Sequence, residues 1–253
     1  MESGVKTGLF YSPPITKIII SSYNSIYCMN TRLIILLLVV AVAGWTSCKN
    51  NDNVFPTTTT VGLNIVNASN DSLNLFINGT RQSGFNLNSG GQSFYLPVAA
   101  GLQNYQFKKS GGVDILFSVP LTLKADSINN SLYITELTTT SSFTTVDVLD
   151  TTGINSKPKA KIRFVNASPD AGSLNVTVGS KVSFTAIDFK HTAAFTLIDT
   201  GLMAMKVKRV GSDVASVDTS ITLAAGHMYT LFSKGSLTGK GTAKLSLALA
   251  INF

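Results

Sequence analysis

Beyond residue 48 the chain offers acid–base chemistry only two histidines, one glutamate (Glu136) and eleven aspartates. His191 and His227 lie 36 residues apart, with no HxH or HExxH spacing that would place two imidazoles on one ion. Glycoside hydrolysis needs two carboxylates facing one bond. The aspartates, however, fall mostly in turn contexts (Asp71, Asp170, Asp213), where a short carboxylate bonds nearby backbone amides. Ser168 is not in a GxSxG elbow, and no glycine-rich phosphate loop occurs. No catalytic residue, metal ligand or cofactor is therefore expected, and the chain reads as a non-enzyme.

Three groups of residues remain as candidate contact sites. Asn166, Ser168 and Asp170 form a compact polar segment echoed at Asn67 to Asp71. The same residue types are those a tight inter-strand turn requires, so turn and ligand loop are both open. Lys159, Lys161 and Arg163, at spacing two, predict a basic patch that Lys206 and Lys208 extend. Such a stripe attracts anionic glycan or lipopolysaccharide, or keeps an exposed strand from pairing with another. No aromatics interleave with the lysines, so nucleic acid is not expected as a partner. Asp71-Ser72-Leu73, Asp126-Ser127-Ile128 and Asp150-Thr151-Thr152 resemble a three-residue O-glycosylation signal of exported bacterial proteins, which would make Ser72, Ser127 and Thr151 acceptors.

Both cysteines precede the polar part of the chain. Arg32 is followed by the eleven apolar residues 33–43, short of the 17 or so that a membrane-spanning helix needs but of signal-peptide proportions. The stretch from Ala43 to Cys48 resembles the lipobox of bacterial lipoproteins, with Trp45 where an aliphatic residue is usual. That resemblance implies cleavage before Cys48, a lipid (palmitate-type) anchor on its thiol and a place at the bacterial outer membrane. Residues 29–47 are expected to form the signal peptide, and its compact proportions from Met29 lead to the expectation that translation starts there, with residues 1–28 an upstream extension.

The elements that must position these residues read as strands. From Cys48 onward 206 residues remain, with no further cysteine and a net charge of +5, since the preceding segment carries three basic residues and one acidic. Residues 48–60 read as a polar spacer. After it the chain repeats itself: Val66-Asn67-Ala68-Ser69 returns as Val165-Asn166-Ala167-Ser168, Gly101-Leu102 as Gly201-Leu202, and Leu121-Thr122-Leu123 as Ile221-Thr222-Leu223. An offset near 100 means two copies of a whole domain, 61–150 and 160–253, joined by a linker at 151–159. Within each copy apolar residues alternate with period two, as in Ile162/Phe164 and Met205/Val207, and Asn78-Gly79, Gly179-Ser180 and Gly211-Ser212 punctuate them. The prediction is all-β: two tandem immunoglobulin-like antiparallel β-sandwiches. A membrane β-barrel is disfavoured, because its strands run about 9–11 residues.

Ala160 to Ala171, followed by Leu174 to Val178 and later by Val217 to Phe232, resembles the domain of unknown function 4397 family. The resemblance is fuller in the second copy, since Asn70-Asp71 stands where the second has Pro169-Asp170. It implies an exported surface domain and no reaction. The expected partners are therefore a lipid bilayer through Cys48 and a protein or glycan ligand. A carbohydrate-binding accessory role would need exposed aromatics, for which Tyr95, Tyr105 and Phe107 are the candidates. A hydrolase would need two converging carboxylates.

Overall fold

The computed structural model describes residues 59–253, apart from 83, 85, 127, 128, 138, 139, 141, 151–157, 213, 214 and 253. The signal segment, Cys48, the spacer up to 58 and most of the linker lie outside the described residues, as do Ser127 and Thr151.

The first repeat supplies β1 (Thr60–Asn67), β2 (Leu73–Ile77), β3 (Thr80–Arg81), β4 (Gln92–Ala99), β5 (Gly101–Lys109), β6 (Ile115–Leu123), β7 (Asn129–Leu137) and β8 (Ser142–Asp150). The second supplies β9 (Ala160–Asn166), β10 (Leu174–Val178), β11 (Val182–Ile187), β12 (Thr196–Ile198), β13 (Gly201–Arg209), β14 (Ala215–Leu223), β15 (Met228–Lys234) and β16 (Ser246–Ile251). Strand for strand, the two repeats coincide. Each builds two four-stranded sheets: β4-β1-β7-β8 over β3-β2-β5-β6, and β12-β9-β15-β16 over β11-β10-β13-β14. Pairing is antiparallel except for β1 with β7 and β9 with β15, which run parallel. The expected sandwiches are thus mixed in one sheet each.

Local chemistry sets these elements. Alternation in β13 turns Met205 and Val207 inward while Ala204 and Lys206 face solvent. Asn78 (φ 49°) and Gly79 (φ 83°) are both left-handed, the two-residue hairpin geometry that asparagine and glycine tolerate. The same register slip recurs in both copies, between Phe107 and Lys108 and between Val207 and Lys208. Between the sheets of the first sandwich Leu63, Ile65, Leu75, Tyr105, Phe107 and Leu132 are buried, and between those of the second Ile162, Phe164, Val176, Val207 and Leu231. Phe107, Phe117 and Phe143 stack in a row at 4.7 and 4.8 Å in the first.

A third cluster joins the repeats. Val66, Ala68, Tyr133, Val146 and Val148 pack against Val165, Ala167, Phe232 and Ala250. These residues sit on the faces of the β1 and β9 sheets that point away from their own sandwich cores. The order of layers is therefore sheet, core, sheet, seam, sheet, core, sheet. Strands β1, β7, β9 and β15 are buried on both faces, which explains their near-continuous burial.

Candidate functional site

The seam carries a polar network at one end. Asp150 accepts hydrogen bonds from Ser131 Oγ (2.6 Å) and Tyr95 OH (2.6 Å) in its own repeat. From the other repeat it receives the Arg163 guanidinium, which also donates to Leu149 O (3.2 Å) and, through Nε, to Thr230 Oγ1 (2.8 Å). Thr230 donates to Asn252 Oδ1 (2.7 Å), and Asn252 Nδ2 returns to Tyr95 OH (3.2 Å). The Phe195 ring lies under the guanidinium at 4.4 Å. Burial first, then the Asp150 charge, pushes the Tyr95 phenol far above its ordinary range. A buried ion pair stripped of one partner is strongly destabilising, and here the two partners belong to different sandwiches.

Both sandwiches point the same way along the seam. The Arg163–Asp150 network lies toward the end at which β1 and β9 begin, and the chain enters the module at that end, with Ala100 N bonded to Thr59 O at 2.8 Å. At the opposite end β1 and β9 run into their following loops, and Thr135 Oγ1 crosses the seam to Ala167 O (2.7 Å). There a cleft of about 270 Å³ opens across the seam. Ser69, Asn70, Thr135 and Glu136 line it from the first repeat, and Ser236 and Thr238 from the second. Its second wall is pinned by Asp170, whose carboxylate accepts from Ser236 Oγ (2.6 Å), Leu237 N (3.0 Å) and Thr238 Oγ1 (3.4 Å). Burial alone would raise the Asp170 carboxyl, but these donors outweigh it and hold the group below its ordinary value. Hydroxyls, an amide and one carboxylate suit hydrogen bonding to a polar ligand.

The structure redistributes the residues singled out in the sequence. Asn166 is buried and acts as a clamp: its Nδ2 donates to Gly172 O and Ile187 O, and its Oδ1 accepts from Ser168 N and Ser233 Oγ. Asn67 does the same in the first repeat. Ser168 is fully buried, so of the three only Asp170 touches the cleft wall. The expected basic patch does not form. Arg163 is 3% exposed and paired with Asp150. Lys161, partly buried, shares its seam-facing side of β9, whereas Lys206 and Lys208 lie on the outer face of β13, on the far side of the sandwich. Lys159 and Lys181 converge on Asp199, each at 3.2 Å.

No aromatic platform forms from the candidate rings: Tyr105 and Phe107 are core residues and Tyr95 joins the seam network. Ser72 is half-buried, and its hydroxyl donates to Asn88 Oδ1 (2.8 Å). The two histidines sit at opposite ends, the His191 carbonyl bonded to Asn166 N and that of His227 to Lys161 N. Among the described residues no three His, Cys, Asp or Glu side chains gather. Sequence reasoning missed Tyr95 as a polar group, Ser131, Asp150, Thr230 and Asn252. No sequence signal marked the seam: Asn64 and Arg163 fall at outward positions of alternating strands, where polar residues are ordinary.

The family model described as a domain of unknown function, DUF4397, matches residues 61–177 and again 160–249. The chain belongs to the DUF4397 family. No curated protein matches it. Among solved structures, this DUF4397 protein is similar to the C-terminal domain of AlgF from P. aeruginosa at 17% identity and TM-score 0.26, over 38% of this chain and 99% of that one. A candidate cell adhesion protein from Bacteroides uniformis is 11% identical at TM-score 0.25, over 78% and 98%. A carbohydrate-binding module from Eubacterium rectale, solved with maltoheptaose, is 11% identical at TM-score 0.24, over 74% and 96%. At these scores the neighbours carry no functional argument for the DUF4397 pair.

Proposed function

We propose that the chain is a non-enzymatic binding module of the bacterial outer membrane, tethered by lipid on Cys48 and presenting its distal loops and seam cleft to a polar partner. The observation that carries this reading is polarity along the module. The chain enters at Thr59, at the end of the module toward which the Arg163–Asp150 network lies, while the loops after β1 and β9 and the 270 Å³ cleft lie together at the other end. Loops held on a rigid scaffold are where binding residues concentrate. Two acyl chains or more on Cys48 would make a durable tether, since each buried methylene contributes about 0.8 kcal/mol.

A glycan is the partner class that the cleft lining favours, because Ser69, Asn70, Thr135, Glu136 and Thr238 offer the donors and acceptors that hydroxyls need. A protein adhesin role is the alternative. Two experiments test the reading. Labelled palmitate should enter the wild-type chain and be absent from Cys48→Ser, which should leave the membrane fraction; equal labelling of the variant sinks the anchor. On a glycan array, binding should fall at least tenfold in Asn70→Lys and in Glu136→Lys but not in Lys181→Glu, at the other end. Binding that responds only to the Lys181 change would place the partner elsewhere.

A further inference from the structure

The seam pairs like with like. Asn67 stands opposite Ile134 and Asn166 opposite Ser233, so the parallel pairs of the two repeats match with a common offset of 99. Tyr133 faces Val146 across its ladder as Phe232 faces Ala248, and Ser131 faces Val148 as Thr230 faces Ala250. Tyr133 and Phe232 are therefore counterparts, and their rings meet each other edge-on at 5.5 Å. Counterpart meeting counterpart is the mark of an isologous, two-fold contact. Reciprocal crossings agree: Lys234 Nζ reaches Ser89 Oγ (3.1 Å) from one side, and Lys190 Nζ reaches Thr144 Oγ1 (2.6 Å) from the other.

Against that symmetry the polar end is lopsided. By the same registers Asn64 is the counterpart of Arg163, Tyr95 of Phe195, Ser131 of Thr230 and Asp150 of Asn252. One diagonal holds the Arg163–Asp150 ion pair, and its mate holds two asparagines. Asn64 Oδ1 is buried there with no hydrogen-bond partner among the described residues. Two first-repeat faces docked together would bury two Asp150 carboxylates with no cation, and two second-repeat faces two Arg163 guanidinium groups with no anion. An uncompensated buried charge is among the costliest defects.

We infer that the seam is a homotypic docking surface, self-complementary in its apolar part, on which Asp150 and Arg163 select the unlike sandwich as partner over a like one. Both faces are occupied within one chain. The apolar part supplies attraction without choice, and the charges supply the choice.

Symmetry gives a test that a merely local role of the ion pair would not satisfy. In calorimetry of the full-length chain in mild detergent, wild type should unfold in one transition. Asp150→Asn with Arg163→Asn should split it, or lower one sandwich's midpoint by roughly 5 °C or more. Adding Asn64→Arg and Asn252→Asp moves the pair to the mate diagonal and should restore the single transition. A fourfold variant no better than the double one overturns the inference. If the double variant fails to fold, the reversed pair decides. Asp150→Arg alone should split the transition, and Asp150→Arg with Arg163→Asp should restore it. A reversed pair as damaged as the single change overturns the inference too.

Discussion

Arg163 shows what a residue's position in a pattern does and does not reveal. Period-two alternation rightly turns it away from Ile162 and Phe164, but an outward side chain is solvated only if nothing covers that face. Here the first sandwich covers it, and Asp150, Thr230 and Leu149 take up its donors. Arg163→Met should cost about 3–5 kcal/mol in urea unfolding, because it leaves Asp150 buried without its cation. Pairing it with Asp150→Leu should recover a large part of that loss; a double variant weaker than the single would contradict the account. Buried tyrosines contribute to the loss of stability at high pH. Burial pushes the phenols of Tyr105 and Tyr133 up to about 12. Unfolding returns them to about 10, so the folded state binds the extra proton between these values. Their contribution is intact below pH 10 and is lost as pH rises from 10 to 12. Denaturation midpoints in that window should fall less steeply for Tyr105→Phe with Tyr133→Phe than for wild type, and equal slopes would refute the assignment.

Elements were more legible than sites. The hairpin at Asn78-Gly79, the alternation in β13 and the repeat offset all follow from residue type and spacing, because turn chemistry and a half-buried pleat act locally. The parallel pairing of β1 with β7 is not local: it joins strands 67 residues apart, and nothing in either strand's own pattern specifies a partner. The cleft was equally hidden, since its walls come from different repeats and Asp170 acts by pinning a loop 66 residues away. That loop depends on Gly235, at φ 75°, where an added Cβ would sit 2.5 Å from Lys244 O and 2.7 Å from Ala243 O. Gly235→Ala should therefore destabilise by roughly 1–3 kcal/mol through left-handed strain, before any cost of the clash. Hydrogen exchange should quicken over residues 236–243 while β9 and β10 stay protected. Uniform loosening of the whole second sandwich would mean that the loop is not an independent element.

For the molecule as a whole, the seam changes what two tandem sandwiches can do. Beads on a flexible linker would unfold separately and swing freely; a shared seam with a buried ion pair makes the pair a single body with one direction. Burial is then graded outward from the centre. Strands β1, β7, β9 and β15 have protein on both faces, whereas β6 and β14 are edge strands with one face in solvent. Local opening is easiest where apolar contacts are fewest, so amide exchange should follow this order. The amides of β1, β7, β9 and β15 should exchange only through global unfolding, at one common free energy in both repeats. Those of β6 and β14 should exchange earlier. Ala250→Arg, which drives a charge into the seam at the end strand of the second repeat, should break that equality and let one repeat's central strands exchange before the other's. If wild-type β1 and β9 already exchange at clearly different free energies, the repeats are not coupled, and the distal cleft has no fixed geometry to offer a ligand.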